Sequence, residues 1–121
     1  MIYGIGTDII EIERIQKACQ RQAFLEKHFS GRELEYFGIH RFNAQTVAGS
    51  FAAKEAFSKA LGTGVRGFAL RDVEVLRDVF GKPYIEFRKQ ELLGGKTVHL
   101  TISHARLYAC ATVIIEEGEH R

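Results

Sequence analysis

The chain has 121 residues, 45% hydrophobic and 26% charged, with a formal net charge of +2. That length fits one domain, residues 1–121, able to bury roughly two-thirds of its unfolded surface without disulfide or metal support. The composition excludes a disordered chain, the charge is too mild to imply nucleic-acid binding, and no apolar run approaches the ~20 residues of a membrane span.

The opening residues, Met-Ile-Tyr-Gly-Ile-Gly, lack the basic region and long apolar stretch of a secretory signal, so a cytoplasmic protein is expected. Residues 2–6 read as a short strand. The Gly6-Thr7-Asp8 turn then leads into a helix, with Asp8 and Glu11 at capping-box spacing. On this helix Ile12, Ile15 and Cys19 form one face, and Arg14, Lys17 and Arg21 the opposite one. Phe24 and Phe29 fall near its end or in the connection. Ser30-Gly31-Arg32-Glu33 is a second capping box, starting a helix that ends near Gly38. Asn43 caps a third and longest helix, along which Ala44, Ala48, Ala52, Ala56 and Ala60 recur at every fourth position. Val47 and Phe51 extend its apolar side, and Gly62 ends it.

The second half changes period. Val73 and Val75 alternate with polar neighbours, as do Ile85 and Phe87, and then Val98, Leu100 and Ile102. Gly81-Lys82-Pro83 and Gly94-Gly95 are breaks between them. Residues 107–116 form a last strand, and the short gap at 104–106 makes an antiparallel hairpin of the final two. One strand, three helices and four strands predict an α+β fold, the helices packed on one face of a mainly antiparallel sheet. The two cysteines, Cys19 and Cys110, fall in a helix and a strand and are expected as buried, reduced thiols.

The chemistry concentrates in residues 51–64. Glu55 and Lys59 lie one helical turn apart, just before Gly62, Gly64 and Gly67, where the backbone can approach a ligand closely. Asp8 has two readings, a helix cap or a metal ligand. Glu55 likewise is either a solvated partner of Lys59 or a second ligand. If Asp8 and Glu55 converge, they leave most positions of an octahedral Mg²⁺ to water and phosphate oxygens. Lys59 then neutralises phosphate, and the Gly62-Thr63-Gly64 loop offers backbone N–H groups. The loop is not a Walker A motif, because the Gly-Lys-Ser/Thr ending is missing. The five histidines, His28, His40, His99, His104 and His120, show no zinc-ligand spacing. His104, closing a strand after Ser103, is either a turn residue or a phosphate or base contact. The Arg14–Lys17–Arg21 stripe is either a solvated face or a docking surface for an acidic protein helix. Nucleic acid lacks the interleaved aromatic platform it would need there.

Together these residues resemble a known family. Gly4-Ile5-Gly6-Thr7-Asp8-Ile9 with Arg14-Ile15, and Phe51-Ala-Ala-Lys54-Glu55-Ala-Phe-Ser-Lys59-Ala-Leu-Gly62-Thr-Gly64, resemble the two long signatures of bacterial holo-[acyl-carrier-protein] synthases. Gly81-Lys82-Pro83 and Ile102-Ser103-His104 match two shorter ones in order. The family is the short, trimeric type of the 4′-phosphopantetheinyl transferase superfamily. The resemblance implies transfer of 4′-phosphopantetheine from coenzyme A to a serine of apo acyl carrier protein, releasing adenosine 3′,5′-bisphosphate, in fatty acid biosynthesis. It implies that Asp8 and Glu55 bind Mg²⁺ with the diphosphate and that Lys59 stabilises the transferring phosphoryl group. By the same resemblance the serine proton would go to a water on the metal or to Glu55, and Gly62, Thr63, Gly64, Lys82, Pro83 and His104 would hold coenzyme A together with Lys59. It also implies a homotrimer with active sites between subunits, whose first helix docks the carrier protein through Arg14, Lys17 and Arg21. Two positions depart from the family. Ser50 stands where Arg is frequent and a nucleotide-phosphate contact is expected, with Arg41 or Arg66 as substitutes. Ala105 stands where a polar residue is common. The alternatives are a metal-dependent phosphodiesterase or pyrophosphatase, and a non-catalytic module that binds coenzyme A or an acidic protein.

Overall fold

The first strand, β1, runs Ile2–Glu11 in the computed structural model, which describes residues 1–118. This corrects the expected strand over 2–6 and the turn at Asp8. Asp8 lies inside β1, opposite Ala111. It caps no helix: Glu11 occupies the N-cap position with no side-chain cap, and the Ile12 N–H donates to the Leu107 carbonyl at 2.9 Å. The local Asp8–Glu11 pattern lost to pairing with a strand distant in sequence, which supplies backbone partners to the whole segment.

The helical region contains more pieces than expected. After α1 (Ile12–Ala18) comes α2 (Gln22–His28), which includes Phe24. Then α3 (Gly31–Ile39) starts with the expected capping box: Ser30 Oγ accepts from the Glu33 N–H, and the Glu33 carboxylate accepts from the Ser30 N–H. The long helix α4 (Ala44–Leu61) begins at Asn43, whose side chain accepts from the Thr46 N–H, and stops at Gly62 in the left-handed conformation. A 3₁₀ turn (Leu70–Asp72) leads to β2 (Val73–Arg77) and β3 (Pro83–Phe87). A short α5 (Gln90–Leu93) precedes β4 (Thr97–His104) and β5 (Tyr108–Glu116).

The fold is α+β, and every strand pairing is antiparallel, including the expected β4–β5 hairpin. The strands form two sheets rather than one, a three-stranded sheet ordered β1-β5-β4 and a β2-β3 ribbon. Helix α4 lies between them. The alanines Ala48, Ala52, Ala56 and Ala60 are buried, and so are Ser50, Lys54 and Phe57 on its other sides. A helix covered on most of its circumference needs no narrow apolar stripe, which is why its most regular sequence feature is small size rather than amphipathicity. β1 approaches α4 so closely that a side chain at Gly6 would collide with the Ala56 carbonyl oxygen, and one at Gly4 with that of Ala60. Phe57, Phe68 and Phe87 stack in the core on the ribbon side, and Phe24, Phe29, Phe37 and Phe51 under α1–α3. Cys19 and Cys110 are free thiols, half-buried rather than buried. His120 lies outside the described residues.

Candidate functional site

The close β1–α4 contact brings together Asp8, Glu55 and Lys59. In β1, side chains alternate across the sheet, so Gly6, Asp8 and Ile10 face α4 while Ile5, Thr7 and Ile9 face away. Because Gly6 has no side chain, Asp8 reaches the helix surface where Lys59 and Glu55 emerge one turn apart. Lys59 does not pair with Glu55. Its Nζ donates to the Thr7 carbonyl oxygen at 2.9 Å and to Asp8 Oδ1 at 3.3 Å. Thr7 was invisible as a site residue, since it contributes a backbone oxygen that any residue type carries.

Burial pushes the Glu55 carboxyl above its ordinary proton affinity, and the charge of Asp8 adds to this, against the pull of Lys59 and His28. Two like charges facing each other at a partly dry surface are disfavoured unless a cation is near. Among the described residues no group of three or more His, Cys, Asp or Glu side chains gathers around a metal-sized space. Two carboxylates nevertheless suit Mg²⁺, which takes its other ligands from water and substrate phosphates.

Asp8 and Glu55 line a cleft of about 470 Å³ with Arg14, Arg21, Phe24 and Phe51. Glu55 and Lys59 also border a second cleft of about 380 Å³, walled by Ser58, Gly62, Gly64 and Val65. Glu55 is therefore the ridge between an entrance flanked by arginines and a pocket edged by the glycine loop. Arg14, Lys17 and Arg21 are exposed, but they do not form one face of a single helix as expected: α1 ends at Ala18, and Arg21 is the N-cap of α2. Arg14 and Arg21 reach the rim of the larger cleft. Phe24 and Phe51, whose ring centroids are 5.8 Å apart, form its apolar wall. From the sequence, Phe51 is expected only on the apolar side of the long helix and Phe24 near a helix end or in a connection, neither as a site residue.

Lys82, Pro83 and His104 line neither of these clefts. They belong near the other half of α4. Ile102, two residues before His104, packs on Gly49, and Arg77, at the base of the 81–83 turn, donates to Ser50 Oγ at 3.4 Å. Ser50 itself is fully buried. The guanidinium beside it is that of Arg77, stacked over Tyr36, rather than Arg41 or Arg66. Thr63 and Arg66 line a third cleft, beside Tyr3 and Leu61.

The family model of the 4′-phosphopantetheinyl transferase superfamily matches residues 4–113. A holo-[acyl-carrier-protein] synthase of Clostridium botulinum is 50% identical, the match covering 96% of this chain and 98% of that one. One from Clostridium perfringens is 48% identical, over 99% and 97% of the two chains. Among solved structures, a holo-(acyl-carrier-protein) synthase of Bacillus anthracis in complex with CoA (3′,5′-ADP) superposes with a TM-score of 0.84 at 39% identity, covering 98% of this chain and 99% of that one. The Helicobacter pylori holo-[acyl-carrier-protein] synthase in complex with coenzyme A superposes with a TM-score of 0.82 at 31% identity, over 93% and 99%.

Proposed function

The chain belongs to the 4′-phosphopantetheinyl transferase superfamily, and on that premise we propose that it is a holo-[acyl-carrier-protein] synthase built as a single domain over residues 1–121. It transfers 4′-phosphopantetheine from coenzyme A to a serine of apo acyl carrier protein. The observation that carries the residue assignment is the meeting of Asp8 with Glu55 and Lys59 between two clefts.

Asp8 and Glu55 hold Mg²⁺ together with the coenzyme A diphosphate. When bound, the ion supplies positive charge to the phosphate oxygens. Lys59 already rests between the Thr7 carbonyl and Asp8, and a small turn of its long side chain carries the ammonium to the transferring phosphoryl group. Glu55, which lines the cleft through which the serine enters, accepts the proton of the serine hydroxyl. The serine oxygen bonds to the β-phosphorus. The bond from that phosphorus to the bridging oxygen breaks, and adenosine 3′,5′-bisphosphate leaves with the electron pair. The Gly62-Thr63-Gly64 loop holds the nucleotide side of coenzyme A. The exposed stripe of Arg14, Lys17 and Arg21 docks the acidic carrier protein, and Arg14 and Arg21 flank the cleft through which its serine enters.

The protein acts as a homotrimer. Two observations support this reading: Ile5 and Ile9 are 63% and 67% exposed on the outer sheet face, and Lys82, Pro83 and His104 lie apart from the clefts. A neighbouring copy supplies those three to the nucleotide. The enzyme works in cytoplasmic fatty acid biosynthesis, and no helix among the described residues is long and apolar enough to cross a membrane.

The test is to incubate the protein with apo acyl carrier protein, coenzyme A and Mg²⁺, and to record the intact carrier mass. A phosphopantetheine-sized gain that vanishes on chelation and returns with Mg²⁺ is expected; an unchanged carrier overturns the assignment. Glu55→Gln is expected to slow transfer by at least ~100-fold. Its melting temperature should hold or rise, since the repulsion with Asp8 is removed.

A further inference from the structure

Among the described residues one buried side-chain polar atom lacks any partner, Nη1 of Arg77. Nη2 of the same group donates to Ser50 Oγ at 3.4 Å, and the guanidinium carbon lies 5.5 Å from the centre of the Tyr36 ring. Ser50 is fully buried, and its small side chain leaves room for the guanidinium against α4. Arg32 and Arg88 each bond a carboxylate, whereas Arg77 bonds none. The nearby Glu33 carboxylate is taken by Lys54. Burial pushes the Arg77 guanidinium down from its ordinary value, and the charges of Tyr36 and Glu33 offset this only in part. A cation sheltered from water with an idle donor costs stability that a neutral side chain would not. An arriving anion that accepts from that donor removes the cost.

We infer that Arg77 binds the 3′-phosphate of coenzyme A and so sets the preference for coenzyme A over its 3′-dephospho form. The inference rests on the transfer reading above and adds a specificity-determining residue to it. Arg77 pairs with Pro83 across the ribbon, so it borders the turn that carries Lys82. Its partner Ser50 follows Gly49, which packs on Ile102, and His104 lies two residues further along the same face of β4. The Arg77–Ser50 contact thus ties the ribbon to α4 at the level of the three residues, Lys82, Pro83 and His104, that the reading brings to the nucleotide.

Charge selects which phosphate Arg77 takes. Coenzyme A carries a diphosphate and, on its ribose, a phosphomonoester. The diphosphate goes with Mg²⁺ to Asp8 and Glu55, two carboxylates that would repel a phosphate arriving without a cation. The phosphomonoester, nearly doubly charged at neutral pH, needs a donor whose charge no carboxylate neutralises. A guanidinium is planar, permanently charged and forked, and this one is uncommitted on one side. A cleft of about 300 Å³ opens beside it, lined by Arg32, Tyr36, Tyr84 and one carboxylate, Glu35, which is exposed and bonds to neither arginine. A small turn of the side chain along the Tyr36 face brings Nη1 to a ligand.

The test uses the full chain and a pair of nucleotides that differ only by the 3′-phosphate. In calorimetry the parent is expected to bind adenosine 3′,5′-bisphosphate about tenfold or more tighter than adenosine 5′-monophosphate, and Arg77→Gln to bind the two alike. Equal affinities in the parent, or a preference that survives Arg77→Gln, overturn the inference. In the carrier-mass assay the preference for coenzyme A over 3′-dephospho-coenzyme A, as a ratio of kcat/KM, is expected to fall about tenfold or more in the same variant. The melting temperature of the unliganded variant should hold or rise, because an idle buried donor has been removed. A merely structural Arg77 gives the reverse, a lower melting temperature with both nucleotides weakened alike, and that result overturns the assignment. So does inorganic phosphate that binds the parent as tightly as the bisphosphate, which makes this a site for free phosphate. A parent that transfers from both substrates equally well removes Arg77 from specificity and leaves the transfer reaction standing. A parent that prefers the bisphosphate through Arg77 yet never modifies the carrier sinks the transfer reaction and leaves the phosphate site.

Discussion

Helix α4 carries two lysine–carboxylate pairs that differ in nearly everything except charge. Lys54 meets Glu33 at 2.6 Å with both side chains fully buried, whereas Lys59 meets Asp8 at 3.3 Å with its side chain 56% exposed. Burial pushes the Glu33 carboxyl up and the Lys54 ammonium down, and each partner opposes the shift of the other. The buried pair survives because its hydrogen bonding is complete. Lys54 Nζ donates to Glu33, to the Leu70 carbonyl and to the Val73 carbonyl, and Glu33 also accepts from the N–H groups of Ser30 and Val75. All three donors of the ammonium are used. That pair locks α3, α4 and the start of β2 in place. The Lys59 pair is open, held by one long ion contact and one carbonyl, and keeps donor capacity for a phosphate. Adjacent residues of one sequence motif, Lys54 and Glu55, thus serve two purposes, the first holding the helix and the second lining the clefts.

Cutting the sealed pair should have the largest effect. Lys54→Ala leaves the Glu33 carboxylate buried without its cation and should lower the unfolding free energy by about 3–5 kcal/mol, measured by urea denaturation. A loss under 1 kcal/mol would erase the contrast between the pairs. Next comes Gly6→Ala, which must push β1 away from the Ala56 carbonyl and so draw Asp8 back from Glu55 and Lys59. It should cost about 3 kcal/mol and slow transfer beyond what the stability loss explains. Parent-like transfer rates would show that the close approach is not what positions Asp8.

A third carboxylate lies between the two extremes. Burial alone would raise the Glu74 carboxyl, but hydrogen bonds from Arg32, Ser30 and Arg88 outweigh it and hold the group at about 2, against an ordinary 4.5. A depressed carboxylate contributes stability above its unfolded value and loses it as pH falls toward the folded one. Melting temperature should therefore drop between pH 4.5 and 2, by an amount equivalent to about 2 kcal/mol after allowing for solvent around the two arginines. Glu74→Gln should flatten that part of the profile; an equally steep decline would assign the acid sensitivity elsewhere. The smallest effect is expected at the open pair. Lys59→Met should change stability by less than about 1 kcal/mol while transfer falls sharply, which equilibrium unfolding and the carrier-mass assay read separately.

Some of this was legible in the chain and some was not, for identifiable reasons. The Ser30–Glu33 capping box, the Asn43 cap and the Gly62 stop are local, so their residues name them. The alternating strands and the last hairpin were legible for the same reason. The cap reading of Asp8 failed because a capping pattern and a strand can share the same residues, and the strand's partner, Ala111, is remote in sequence. The split into two sheets, the extra helix α2 and the partner of Lys59 escaped for that reason too. Each depends on which surfaces meet after collapse.

By itself, the order of residues determined the α+β class and the family signatures, and it singled out Asp8, Glu55 and Lys59 as candidates, because these depend on residue identity and spacing. Only the tertiary structure decided that Lys54 is sealed and Lys59 open, that Gly6 lets Asp8 reach α4, and that Lys82, Pro83 and His104 stand apart from the clefts. Burial and close approach are properties of packed surfaces, and a helix buried over most of its circumference gives little periodic sign of which side stays open.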